Sequence, residues 1–295
     1  MALTEFAVVH KARKFVIDVN PTAIPVSVED YARSVGAVIR PQTDLGPDEP
    51  GMSFAHDGKR YICVNAGDRP ERQRFTVCHE VAHIVLGLQS DHSEPQWSYA
   101  KRPLAEIFCD VFAAELLLPY KSFQPAAVES STGLAAVDAL ADRFLASTTA
   151  TGSRFASVVT TPCAFVLSEH GKIRYASRSK SLIDASAWIP PRTDLPRGTL
   201  SHRAHAGGPM DREEVDAAVW FSNWERGGKL LEEARYLDQW DQTLTLLWFD
   251  DDEVPPLKRR ARDDDDAVGL REDEEELGLQ ELDGHLPWPG KKRRR

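Results

Sequence analysis

Arg74-Phe75-Thr76-Val77-Cys78-His79-Glu80-Val81-Ala82-His83-Ile84-Val85-Leu86-Gly87 places two histidines and a glutamate inside an otherwise apolar run. Residues four apart on an α-helix lie one above the other on one face, about 6 Å apart along the axis. His79 and His83 have that spacing, so both imidazoles can reach one zinc ion at roughly 2.0–2.1 Å. Glu80 between them can turn toward a water and take its proton. The flanking Val77, Val81, Ala82, Ile84, Val85 and Leu86 predict that most of this helix is buried. Ionisable groups on a buried helix are costly unless something pairs with them, and a metal ion is such a partner. The plainer alternative is a pair of buried histidines satisfied by backbone carbonyls. A third ligand decides between the two.

A metzincin would continue the motif with glycine and then a third histidine. Those positions hold Leu86 and Gln89, which excludes that class. The other route is a carboxylate from a second helix, and Leu104-Ala105-Glu106-Ile107-Phe108-Cys109-Asp110-Val111-Phe112-Ala113-Ala114-Glu115-Leu116-Leu117-Leu118-Pro119 has helical apolar spacing with a proline to end it. Glu106 and Asp110 are four apart and share a face. Glu106 can be the third ligand, and Asp110 can accept the free N–H of a ligand histidine and fix its tautomer. Glu115 is the rival, but nine steps of about 100° turn it to roughly the opposite face from Glu106.

Together, Pro70-Glu71-Arg72-Gln73-Arg74-Phe75-Thr76-Val77-Cys78-His79-Glu80-Val81-Ala82-His83 and Glu106 through Pro119 resemble the ImmA/IrrE family of metallopeptidases. Leu118 stands where that family usually has methionine, and Asp110 where asparagine is frequent. The likeness extends upstream through Gly51-Met52-Ser53-Phe54 and Tyr61-Ile62-Cys63-Val64-Asn65. It implies a zinc endopeptidase that cleaves Cro/repressor-type transcriptional regulators of the XRE family, inducing a stress or mobile-element response. By position, His79, His83 and Glu106 resemble the Zn2+ ligands and Glu80 the catalytic base.

The implied fold class is α+β: a zincin-like, gluzincin-type peptidase core with a small β-sheet, a helical linker, an α/β GAF-like domain and a disordered tail. The expected divisions are a peptidase domain over 1–120, a helix-turn-helix-like segment over 121–155, a GAF-like sensory domain over 156–250 and a charged tail over 251–295. With 36 Lys+Arg against 46 Asp+Glu the chain carries a formal net charge of −10, which argues against general affinity for nucleic acid. Cys63, Cys78, Cys109 and Cys163 form no C-x-x-C pair, so free thiols in a reducing cytoplasm are expected rather than a disulfide framework. No stretch of 18 apolar residues appears, and the N-terminus has no apolar run of signal-peptide length, so no membrane association is expected.

Outward from the motif, Glu5 to Val19 and Val26 to Val35 read as helices and Gly36 to Arg40 as a strand. Gly51–Ala55 and Arg60–Asn65 form a hairpin across Asp57-Gly58, and its edge can bind a substrate peptide as an added strand. Tyr61, His92, Tyr99, Tyr120 and Arg154 are equivalent candidates for stabilising an oxyanion. After Pro119, Leu134 to Ser147 and Ala150 to Phe155 read as one or two helices with a turn. Beyond them the chain turns β-rich, with a hairpin at Cys163–Ser168 and Gly171–Ser177 and strands at Ala217–Phe221, Lys229–Leu237 and Gln242–Phe249. This resembles a GAF-like domain and implies a small ligand there. His202 and His205 read as exposed loop histidines. The runs Asp263–Asp266, Glu272–Glu276, Lys258–Arg262 and Lys291–Arg295 cannot build a core, so a disordered tail is expected. The rival to the peptidase is a non-cleaving adaptor or sensor that binds a transcription factor, with its zinc structural. An intact Glu80 argues against it, because an adaptor has no use for a base.

Overall fold

The computed structural model describes residues 3–46, 51–89, 103–208, 211–224 and 228–250. The expected disordered tail, and the candidates His92 and Tyr99, lie outside them. Two compact units are present: one runs to Phe123 and takes in Leu140–Ala150, the other takes Gln124–Ala139 and everything described from Thr151 onward.

The first unit opens with α1 (Glu5–Val19), whose N-cap Thr4 accepts from the Ala7 amide, and α2 (Val28–Ser34), capped likewise by Ser27. Strands β1 (Ala37–Gln42), β2 (Gly51–His56) and β3 (Lys59–Asn65) form a sheet in the order β1-β3-β2, with β1 parallel and β2 antiparallel to β3. The β2–β3 turn is Asp57-Gly58, both at positive φ, as a tight hairpin requires. Among the described residues β2 is therefore an edge strand.

Helix α3 (Pro70–Leu86) follows, and its ends are legible in the sequence. Pro70 sits in the first turn, where its missing N–H costs nothing, and Gly87 closes the helix in the left-handed region with its N–H on the His83 carbonyl at 3.0 Å. Helix α4 (Leu104–Leu117) packs on α3, and every residue from Glu106 to Leu117 is buried. Phe112 and Leu116 are fully buried, each contributing about 1.5–3 kcal/mol. That is enough to carry the three carboxylates on the same helix only if each is partnered. Tyr31 of α2 donates its hydroxyl to the Leu116 carbonyl (3.2 Å), and Phe15 of α1 packs 5.8 Å from the Phe112 ring.

Three helices follow, α5 (Tyr120–Glu129), α6 (Leu134–Phe144) and α7 (Thr148–Val158), where one or two were expected. The excess is α5, where Pro125 inside the helix weakens the helical signal. On α7, Gly152 is required, because an added Cβ would lie 2.4 Å from the Phe165 ring.

In the second unit, β4 (Cys163–Glu169), β5 (Lys172–Arg178), β6 (Arg212–Asp216), β7 (Lys229–Leu237) and β8 (Gln242–Trp248) form an antiparallel sheet in the order β5-β4-β8-β7-β6. Central β8 is buried at every position. Between the strands lie α8 (Lys180–Asp184), α9 (Leu200–His205) and α10 (Ala217–Trp220). The strand expected at Ala217–Phe221 is thus a helical turn. Asp216 caps it by accepting from the Ala218 amide at 2.8 Å, and the turn lets Trp220 and Phe221 both enter the core. A short apolar run cannot signal strand or helix by periodicity alone. His202 and His205 are likewise on α9 rather than in a loop, half-buried, because Thr199 caps that helix and its first residues sink Leu200, Ser201 and Ala204. The strand β6, Arg-Glu-Glu-Val-Asp, was not foreseen, since its exposed charges carry no alternating apolar signal. Among the described residues no helix is long and apolar enough to cross a membrane.

Candidate metal centre

The centre forms where α3 crosses α4. The Nε2 atoms of His79 and His83 lie 3.0 Å apart, Glu106 Oε2 is 3.1 Å from His79 Nε2, and Glu106 Oε1 is 3.5 Å from His83 Nε2. Among the described residues this is the one group of three or more possible ligand side chains gathered within 4.8 Å. Glu106 and His83 are buried and His79 nearly so.

The hydrogen bonds around the group fix which nitrogens are free. His79 Nδ1 is 2.8 Å from Asp110 Oδ1, so the carboxylate draws the ring proton to Nδ1 and leaves a lone pair on Nε2. His83 Nδ1 is 3.3 Å from the Leu88 carbonyl, which can only accept, and its Nε2 is left with a lone pair as well. Three lone-pair atoms therefore face one another at contact distance. They repel unless a proton or a cation sits among them. Burial alone would lower the His79 imidazole, yet its hydrogen bonds to Asp110 and Glu106 outweigh burial and push it up to about 10. Burial would raise Glu106, but hydrogen bonds to His79 and His83 hold it well below the usual carboxylate range. Both shifts express one demand for positive charge at the centre. A tetrahedral zinc ion at ~2.0–2.1 Å from each ligand holds them about 3.4 Å apart, close to the separations present. Two imidazole nitrogens and a carboxylate thus fit zinc.

Glu80, on the same helix, is 1 % exposed. Its Oε2 accepts a 2.6 Å hydrogen bond from Ser53 Oγ on β2, and its charge acts on His79. The sequence reading missed Ser53. Glu115 is bound at 3.2 Å by Arg13 of α1, whose guanidinium also lies over the Tyr120 ring, so that carboxylate and that tyrosine belong to another part of α4 and its exit. Tyr61 faces the side of the sheet opposite α3, stacked on Phe54. Arg154 belongs to the second unit. None of the described oxyanion candidates is drawn into the cluster. All four cysteines are buried and none is in a disulfide, and burial holds the Cys78 thiol well above the ordinary thiol range, so it packs rather than reacts.

The Arg74-Phe75-Thr76 lead-in has a structural role. Arg74 Nε donates to the Leu145 carbonyl (3.2 Å) and its Nη2 to the Val26 carbonyl (2.9 Å), tying α3 to two segments remote in sequence. Arg74→Ala is expected to lower the unfolding free energy by about 2–3 kcal/mol, with Arg74→Lys recovering little of it, because one ammonium cannot span both carbonyls. Urea unfolding measures this, and an unchanged midpoint would show the two bonds to be idle.

Residues 32–155 match the model of the IrrE N-terminal-like domain, Peptidase_M78. The Radiation response metalloprotease IrrE of Deinococcus radiodurans is 39% identical over 62 residues, covering 20% of this chain and 19% of that protein. Its counterpart in Deinococcus deserti is 39% identical over 70 residues, 22% of this chain and 25% of that protein. The matched stretch thus spans only a fifth to a quarter of these relatives. A solved Mycobacterium tuberculosis transcriptional regulator aligns over 82% of this chain and 75% of its own at 17% identity, with a TM-score of 0.55, a likeness of fold alone.

Proposed function

We propose that this chain, a member of the ImmA/IrrE family through residues 32–155, is a zinc-dependent endopeptidase that cleaves an XRE-family transcriptional repressor, inducing a stress or mobile-element response. The observation that carries this reading is the convergence of His79, His83 and Glu106 on one point, with Glu80 one residue along the same helix. His79, His83 and Glu106 would hold the ion, and Asp110 orients His79. Zinc bound there supplies Lewis-acid polarisation of a scissile carbonyl and lowers the pKa of the attacking water.

The chain's own residues supply the rest. Among the described residues the outer edge of β2 has no partner strand, so a substrate segment can add there as a further strand, beside α3. Glu80 takes a proton from the attacking water and delivers it to the leaving amine. Its burial keeps competing solvent away from that carboxylate. The relatives named as metalloproteases support the reaction class. The repressor as substrate rests on the family resemblance alone.

We further assign a peptidase domain to 1–120, a helix-turn-helix-like segment to 121–155 and a GAF-like sensory domain that takes a small ligand to 156–250. The five-stranded antiparallel sheet with intervening helices supports the last of these. The setting is cytoplasmic, consistent with four buried cysteines outside any disulfide. Metal dependence tests the reading. Proteolysis of the repressor should vanish after chelation and dialysis and return with one equivalent of zinc. Activity that persists in metal-free protein would remove the metal from the reaction.

A further inference from the structure

We propose that Ser53 is a positioning residue for Glu80, and that Gly51 exists to bring it there; the proposal rests on the peptidase reading above. Two periodicities meet at this contact. On strand β2, Gly51 and Ser53 are two apart and face the same side, toward α3. On α3, Thr76 and Glu80 are four apart and face the same side, about 6 Å along the axis. Two residues of strand span about 6.6 Å, so the pairs match in register. Gly51 lies against Thr76, and Ser53 donates to Glu80 Oε2 at 2.6 Å.

The approach is close enough to forbid a side chain at 51. A Cβ there would stand 2.7 Å from Thr76 Cγ2 and 2.2 Å from the Cys63 carbonyl oxygen. Any larger residue lifts the strand from the helix and takes the Ser53 hydroxyl out of reach of Glu80. A carboxylate on a helix has several rotamers. The Ser53 hydroxyl selects the one that anchors Oε2, leaving Oε1 to accept the proton. Because Ser53 lies on the edge strand proposed to receive substrate, the strand that docks the peptide is also the strand that aims the base.

The test compares full-length, zinc-loaded wild type with Ser53→Ala, Ser53→Thr and Gly51→Ala on the repressor that the wild type cleaves. Ser53→Ala is expected to lower kcat about tenfold with KM, zinc content and Tm unchanged, Ser53→Thr to restore most of the rate, and Gly51→Ala, which forces β2 aside, to lower kcat together with Tm. Isotope-edited infrared spectra of Glu-labelled protein add a readout independent of turnover. The carboxylate stretch should shift between wild type and Ser53→Ala, and the same difference should be missing in a Glu80→Gln background. A wild-type rate in Ser53→Ala, no rescue by threonine, or a loss in Ser53→Ala that follows zinc or Tm overturns the positioning role while leaving the peptidase intact. A wild type that cuts no repressor overturns the peptidase reading and the positioning role with it.

Discussion

Glu80→Gln is expected to reduce the proposed repressor cleavage by about 10²–10⁴-fold while leaving zinc at one equivalent and the fold intact. The amide keeps the size of the side chain and can still accept from Ser53 through its carbonyl oxygen, so the contact that seats β2 on α3 survives. What is lost is the lone pair basic enough to take a proton from water. Glu80 is not among the three converging ligand side chains, so metal content separates this variant from any that damage the centre. Intact-mass measurement of the substrate over time, with zinc quantified on the same sample, checks it. Cleavage at the wild-type rate would assign the base elsewhere and return Glu80 to a purely structural role.

Glu106→Gln carries the second large effect. It removes the one anionic member of the converging trio and leaves two imidazoles with a weak neutral oxygen. Zinc affinity should fall by more than the roughly 10–100-fold that loss of a ligand's hydrogen-bonding neighbour costs, and Asp110→Ala should show that smaller loss. Competition against a chromophoric chelator measures both. Glu115→Gln is the control: it lies on the same helix and is equally buried, but is held by Arg13, so it should leave zinc binding unchanged. If Glu106→Gln keeps wild-type affinity, the third ligand is some other group.

The centre was legible because its parts are local. Spacing of four puts His79 over His83, the same spacing puts Asp110 beneath Glu106, and Pro70 and Gly87 mark where the first helix starts and stops. Nine steps around a helix also sufficed to turn Glu115 away from Glu106, and the structure shows Arg13 waiting on that side. The contacts that were not legible join elements far apart in the chain. Ser53 reaches Glu80 across 27 residues, and Arg74 reaches Leu145 across 71, through packing that no local pattern encodes. Gly51 was a visible clue, because a glycine inside a strand often marks close backbone approach.

The second unit was read less well for related reasons. Its hairpin at β4–β5 and its strands β7 and β8 have apolar alternation or burial that marks them. Residues 217–220 are apolar throughout and take their helical form from the Asp216 cap and from the room available to Trp220. The α9 helix is only six residues long, and its end carries His202, Arg203 and His205, which suit a helix C-terminus but read equally well as a loop.

Metal-dependent hydrolysis of a protein at the α3–α4 centre is the claim on which the rest depends. Its most direct measurement is mass spectrometry of candidate XRE-type repressors after incubation with the purified, zinc-loaded protein. Two fragments whose masses sum to the repressor plus one water, absent when a chelator is present, are expected. An intact repressor held in a stable complex would contradict the account and make the protein an adaptor.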